Sequence, residues 1–281
     1  MSNEPTYTAA FEELKEIVDQ LENDSISVDE LAEKMKRATD LMKICKDKLT
    51  KTEEEINKTI SELSWMSTFE LISPEIESYC EAHTTEETNL LYRLNRQTHL
   101  QTINPRMASG QLQGQFLSMI SNMIRPKRIL EIGTFTGYSA LCLATGLTTD
   151  GILHTIEINE EYEDRIRTFF AESTYNPQIK LHIGDAKDIV PSLNEQWDLV
   201  FIDAEKTDYQ TYYEIVFPQV RKKGFILIDN TLWNSKVVCE IQHNDKDTQA
   251  ILAFNDKVQQ DRRVRNLLLP FRDGIMMIEK L

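Results

Sequence analysis

The chain has 281 residues, 41% hydrophobic and 27% charged, enough to bury a full α/β core with a smaller segment to spare. Its formal net charge of −15 repels nucleic-acid phosphates, which are bound by clustered Lys and Arg, so direct nucleic-acid contact is excluded as a main activity. Cys45, Cys80, Cys142 and Cys239 lie far apart, with no CxxC pair and no His at zinc-finger spacing, and read as reduced thiols. Glu12, Glu13, Glu16 and Asp19 stand where a signal peptide needs an apolar stretch, and no apolar run reaches membrane-spanning length. A soluble cytoplasmic protein with no membrane partner is expected.

Between Thr6 and Ser64 no Gly or Pro punctuates the chain, so long helices are predicted. Phe11, Leu14, Ile17, Val18 and Leu21 form one apolar stripe, interrupted at Asn23 to Ser25. Ser27 and Glu30 then make a capping box. From Val28 through Leu31, Met35, Ala38, Met42, Cys45, Leu49, Thr52, Ile56, Thr59 and Leu63 the steps alternate threes and fours, a heptad seam with two Thr interruptions. A two-helix hairpin cannot bury both faces of such stripes, so a partner chain or self-association is implied. The run FEELKEIVDQLENDSISVDELAEKMKRATDLMKICKDKLTKTEEEINKTI resembles the small subunit of exodeoxyribonuclease VII. The resemblance implies a hairpin, residues 1–64, that binds the nuclease large subunit and carries no chemistry.

In SELSWMSTFELISPE the heptad stops and Ser, Thr and Pro gather, marking a linker at 65–73 before a second domain at 74–281. Helices are predicted from Pro74 to His83, Glu86 to Gln101 and Gln111 to Ile124, where Pro126 ends the third. Elements then alternate: strand RILEI, helix Tyr138 to Gly146, strand ILHTIEI, helix Glu160 to Ala171, strand IKLHI, a short helix to Leu193, strand WDLVFID, helix Tyr209 to Val220 and strand GFILID. Continuous apolar strands alternating with helices predict a doubly wound α/β sheet. A helix near Thr248 to Gln260 follows, then two strands about a turn containing Asp273-Gly274. An antiparallel pair closing a parallel sheet is the Rossmann-like methyltransferase layout.

Ligands of doubly wound sheets lie over the carboxyl ends of the strands. The first strand-to-helix turn runs Glu131-Ile132-Gly133-Thr134-Phe135-Thr136-Gly137-Tyr138-Ser139, with its glycines four apart. It lacks the G-x-G-x-x-G of nicotinamide dehydrogenases, the chief alternative. Glu131 attracts an ammonium and would repel a pyrophosphate. Glu157 ends the next strand, placed to hold two ribose hydroxyls, and Asp185 follows the third beside Ala186, where an adenine would lie. The set points to S-adenosylmethionine.

The fourth and fifth strands end in FIDAEK and LIDNTLW, which bring Asp203, Asp229 and Asn230 to nearby strand ends. Three hard oxygen donors favour Mg²⁺, Mn²⁺ or Ca²⁺ over zinc and leave positions for water and two substrate oxygens. Lys206, three residues after Asp203, is the candidate base; a neighbouring divalent cation disfavours its ammonium form.

The runs MASGQLQGQFLSMI, ILEIGTFTGYSALCLA, HTIEIN, GDA, FIDAEKTDYQTYY and ILIDNTLWNSKVV resemble the cation-dependent O-methyltransferases of caffeoyl-CoA and catechol type, bacterial branch, from Phe69 to the end. The resemblance implies a metal at Asp203, Asp229 and Asn230, and S-adenosylmethionine contacted by Ser109, Glu131, Gly133, Thr134, Ser139, Glu157 and Ala186. It also implies a base at Lys206, an acceptor with two adjacent hydroxyls and a homodimer. Glu205 departs from relatives with a second Asp but keeps the charge. Residues 66–106 and 237–248 contain no basic cluster, which favours a small catechol-like acceptor over a CoA thioester. The second reading is a nuclease accessory subunit whose methyltransferase portion is a passenger or regulator.

Overall fold

The computed structural model describes residues 7–22, 34–44, 48, 72–102, 104–241 and 243–281, and the chain divides into two compact units, Met1–Ser67 and Thr68–Leu281. In the first unit, α1 (Tyr7–Glu22) and helical residues 34–44 (α2) share a small core of Ala10, Ile17, Ala38 and Leu41, flanked by Leu14 and Ile44. Arg37 Nε and Nη2 donate to the two carboxylate oxygens of Glu13, both at 2.7 Å, tying the helices together. Of the seam positions described, Ala38 is buried, Met35 and Met42 are 58% and 52% exposed as on a surface that needs a partner, and Leu41, outside the seam, is buried. Small Ala10 and Ala38 let the helices approach closely, so the contact centres on the alanines and Leu41 while the larger Phe11, Met35 and Met42 stay outside. The capping box at Ser27 and Glu30, the seam positions Val28, Leu31, Cys45, Leu49, Thr52, Ile56, Thr59 and Leu63, and most of the 65–73 linker lie outside the described residues.

The second unit is built on a seven-stranded sheet in the order β3-β2-β1-β4-β5-β7-β6. Strands β1 (Arg128–Ile132), β2 (Ile152–Glu157), β3 (Ile179–Ile183), β4 (Trp197–Ile202) and β5 (Val220–Ile228) are parallel. β7 (Ile275–Lys280) runs antiparallel between β5 and β6 (Val264–Leu269). On β1, Ile129 packs under α4 (Asn89–Gln101), α5 (Gly110–Ile124), α6 (Tyr138–Ala144) and α7 (Glu163–Glu172). Leu130 and Ile132 face the other layer, α8 (Ala186–Ser192), α9 (Tyr209–Val216) and α10 (Lys246–Gln260). Burial on both faces explains the apolar runs, each such side chain contributing about 1.5–3 kcal/mol. Ahead of them, α3 (Pro74–Ala82) is capped by Ser73, whose hydroxyl accepts from Ile76 N.

Several boundaries differ from expectation, and two of them have local reasons that bear on the site and the sheet. Helix α4 starts at Asn89 because Thr88 caps it, accepting from Leu91 N at 3.3 Å, and Glu87 is left free to accept from the Tyr138 hydroxyl at 2.7 Å. Helix α9 ends at Val216 rather than Val220, since Pro218 opens a 3₁₀ turn, and Val220 already belongs to β5.

At the face of β2 and β3, the His154 Nδ1 and His182 Nε2 lie 3.0 Å apart with stacked rings, and His154 Nε2 is buried without a hydrogen bond, 3.9 Å from Glu195 Oε1. Burial, and after it the His182 imidazole, holds His154 down to about 4. An unfolded histidine takes its proton near 6.5, so between about 6.5 and 4 the unfolded chain binds more protons and stability is lost as the pH falls, by about 3 kcal/mol in all. The melting temperature of the wild type is expected to drop from pH 7 to 4.5 more steeply than that of His154→Phe. Equal slopes would show that this pair contributes nothing.

Candidate active site

Strand order reverses between β1 and β4, and over the carboxyl ends of the parallel strands opens a cavity of about 910 Å³. Ser109, Gly133, Thr134, Ser139, Glu157, Ala186, Asp203, Lys206, Asp229 and Asn230 all line it. Gly133 has φ +100, and a Cβ there would stand 1.9 Å from the Asp203 carbonyl oxygen, so its glycine is demanded by the approach of β4 as well as by the turn. Glu157 is buried, accepting from Phe135 N at 2.6 Å and Asn159 N at 2.9 Å, and burial raises its pKa.

Glu131 and Asp185 are placed otherwise. Glu131 is wholly buried behind the wall, next to Ser139 and Thr155; burial raises its pKa to about 8, and its Oε1 has no hydrogen-bond partner. An orphaned carboxylate oxygen of this kind suits a donor such as an ammonium. Asp185 does not line the cavity: its carboxylate caps α8, accepting from Lys187 N at 2.8 Å, with Lys187 Nζ 3.4 Å away.

On the other side of the cavity Asp229 is 4% exposed, and Gln113 Nε2 donates to its Oδ2 at 2.6 Å while Asn230 N donates to its Oδ1 at 2.8 Å. Burial, and second the charge of Asp203, raises its pKa to about 7. Lys206 Nζ donates to Asp203 Oδ1 at 3.1 Å and to the Ala204 carbonyl at 3.0 Å, beneath the rings of Tyr209 and Trp233 at 5.3 and 5.8 Å. Asn230 sits at φ +56, its amide donating to Asp273 Oδ2 at 3.4 Å. The charges of Asp203 and Asp229 oppose each other in this cavity, a repulsion that a hard divalent cation would relieve, and the Asn230 amide offers a further oxygen donor on the same wall. No group of three His, Cys, Asp or Glu among the described residues is arranged as a metal site, so Asn230 would have to supply the third donor.

Residues 81–281 match the family model described as O-methyltransferase. The chain belongs to the O-methyltransferase family. Residues 7–58 match the model for the exonuclease VII small subunit, so this methyltransferase carries at its N-terminus a segment of a second family. It is 32% identical over 211 residues to a probable caffeoyl-CoA O-methyltransferase 2 of Dictyostelium discoideum, an alignment covering 73% of this chain and 91% of the relative. Among solved structures, the SAH-bound methyltransferase PaMTH1 of Podospora anserina is 28% identical with a TM-score of 0.68, covering 74% of this chain and 94% of its own. The O-methyltransferase TomG of Streptomyces achromogenes, involved in tomaymycin synthesis and solved with SAM, is 27% identical with a TM-score of 0.67, covering 73% and 96%. The chain is therefore an enzyme, an O-methyltransferase of the S-adenosylmethionine-dependent kind.

Gln113, Trp233, Arg272 and Asp273 are among the methyltransferase's wall residues that the sequence does not announce as site residues. Gln113 lies inside the MASGQLQGQ run, and Asp273 was taken for a turn residue. Trp233, Asn234 and Ser235 hold φ of 48, 50 and 62 in succession, a left-handed turn that no glycine announces. Glu157→Ala tests the cofactor side. It is expected to weaken S-adenosylhomocysteine binding by about 1.5–3 kcal/mol for each charge-assisted hydrogen bond lost. Unchanged affinity by calorimetry would remove Glu157 from the site.

Proposed function

We propose that the second unit methylates a hydroxyl of a small catechol-like acceptor with the aid of a divalent cation, Mg²⁺ first and Mn²⁺ or Ca²⁺ as alternatives. The observation that carries this reading is the junction, in one cavity, of the turn bearing Gly133 with Asp203, Lys206, Asp229 and Asn230. When bound, S-adenosylmethionine supplies a sulfonium methyl and the cation acidifies a hydroxyl. Glu157 holds the cofactor by its ribose, with Ser109, Thr134, Ser139 and Ala186 shaping the remaining wall. Asp203, Asp229 and Asn230 would hold the cation, beside which an acceptor with two adjacent hydroxyls would lie. Lys206, in its neutral amine form with its ammonium proton already lost to solvent, would take the acceptor proton at Nζ, and the leaving thioether is neutral, so positioning and charge balance are the protein's contribution. The test is methyl transfer from labelled S-adenosylmethionine to a panel of catechols with and without Mg²⁺. Failure with every catechol would overturn the acceptor class.

For residues 1–64 the match to the exonuclease VII small subunit supports a binding role toward the nuclease large subunit. Nine Lys and Arg against sixteen Asp and Glu there disfavour DNA as the partner. No helix among the described residues is long and apolar enough to cross a membrane. A chain starting at Met66 is expected to keep full methyl transfer, since every proposed site residue lies beyond it, and to lose co-purification with the large subunit. An inactive truncated enzyme would make the arm an integral part of the methyltransferase. Full activity together with retained co-purification would leave the arm without this role.

A further inference from the structure

Seven carboxylates and three cations line the cavity. Two of the cations are taken: Lys187 Nζ lies 3.0 Å from Asp208 Oδ2, and Lys206 Nζ lies 3.1 Å from Asp203 Oδ1. The third, Arg272, forms no hydrogen bond and no ion pair with any described residue, although acids are abundant around it. Its sequence neighbour Asp273 is engaged elsewhere, accepting from Asn234 N and from the Asn230 amide. Arg272 is partly buried, and its backbone is in the left-handed region at φ +50, a conformation that disfavours an arginine and persists where the surroundings impose it.

Its guanidinium lies over the start of α5, with Nη1 3.6 Å from the point where a Cβ of Gly110 would stand. Its charge opposes the upward shift that burial gives the Tyr138 hydroxyl and the Asp273 carboxyl. Tyr138 precedes Ser139 at the cofactor end, and Asp273 meets Asn230 at the acceptor end, so Arg272 stands where the two ends meet. A planar fork of donors left unpaired in a cavity rich in acids matches one missing ligand group, a carboxylate held by paired N–H donors.

We propose that Arg272 is a carboxylate anchor of this cavity, binding a carboxylate carried in by a ligand; the proposal rests on reading the cavity as the methyltransferase site. That chemistry has two sources, the α-carboxylate of the cofactor and a carboxylate on the ring of an aromatic acceptor. Calorimetry on the full chain separates them. Wild type, Arg272→Asn, whose side chain tolerates the left-handed backbone, and Arg272→Lys, which keeps the charge, are titrated with two ligand pairs. One pair is S-adenosylhomocysteine and 5′-methylthioadenosine, which lacks the amino-acid portion. The other, with S-adenosylhomocysteine and Mg²⁺ present, is 3,4-dihydroxybenzoate and catechol.

Arg272→Asn is expected to weaken the carboxylate-bearing member of one pair about tenfold or more and to leave its carboxylate-free counterpart unchanged, with Arg272→Lys recovering part of the loss. A loss confined to the first pair assigns the cofactor, and one confined to the second assigns the acceptor. Comparing two ligands within one variant removes any general loss of folded protein. Equal changes within both pairs, or none, would overturn the proposal. Turnover is read separately: absence of methyl transfer to any catechol counts against the acceptor class without altering the binding comparison.

Discussion

Asp229→Ala is expected to cut methyl transfer about a thousandfold while S-adenosylhomocysteine still binds, and EDTA should do the same to the wild type, reversibly with Mg²⁺ or Mn²⁺. Asp229 is almost wholly buried, and burial together with Asp203 raises its carboxyl to about 7. Such a group is at odds with its surroundings unless a cation balances the pair. A bound divalent ion contributes several kcal/mol of charge stabilisation, and each 1.36 kcal/mol is a factor of ten in rate, so about 4 kcal/mol gives the stated loss. The fold should survive, because Tyr209 donates to the backbone oxygen of residue 229 at 2.8 Å and that bond does not need the carboxylate. Radiolabel transfer and calorimetry give the two readouts. Undiminished turnover in EDTA would falsify the metal assignment, and Asp229→Ala losing cofactor affinity while keeping metal would reverse the proposed roles.

Gly133→Ala should be strongly damaging to both stability and activity. The new carbon would lie 1.9 Å from the Asp203 carbonyl oxygen and 2.7 Å from its carbon, both backbone atoms, and φ of +100 is closed to alanine. Left-handed strain of about 1–3 kcal/mol adds to the separation of β1 from β4 that the clash imposes, for a loss of about 4 kcal/mol or more. The same shift moves Asp203, so activity should fall with stability. Gly184→Ala is the comparison: its φ is +142, and the nearest atom to a new Cβ is the flexible Cδ1 of Ile189 at 3.3 Å. Urea unfolding of the two variants decides, and a Gly133→Ala protein as stable as Gly184→Ala would mean that β1 and β4 do not approach as described.

The amino-acid order by itself determined the parallel sheet and the acids at its edge. Strands buried on both faces must be apolar throughout, so ILHTIE, WDLVFI and GFILI stand out, and the acids that end or follow them, Glu157, Asp203 and Asp229, fall at one end of the sheet because parallel strands all point the same way. Only the tertiary structure decided what closes the site. Gln113 comes from α5, Trp233 from a left-handed turn and Arg272 with Asp273 from the β6–β7 turn, segments 116 residues apart in the pairing of Gln113 with Asp229 alone. β7 inserts between β5 and β6, and that insertion, invisible in local periodicity, carries Asp273 back to Asn230. The first unit shows the same division: the helical period was legible, but the choice of Leu41 over Met35 and Met42 depended on where two alanines let the helices meet. Periodicity reports which face of an element is apolar, whereas the partner that covers it, and the side chain that fills a gap between elements, follow from packing at long range.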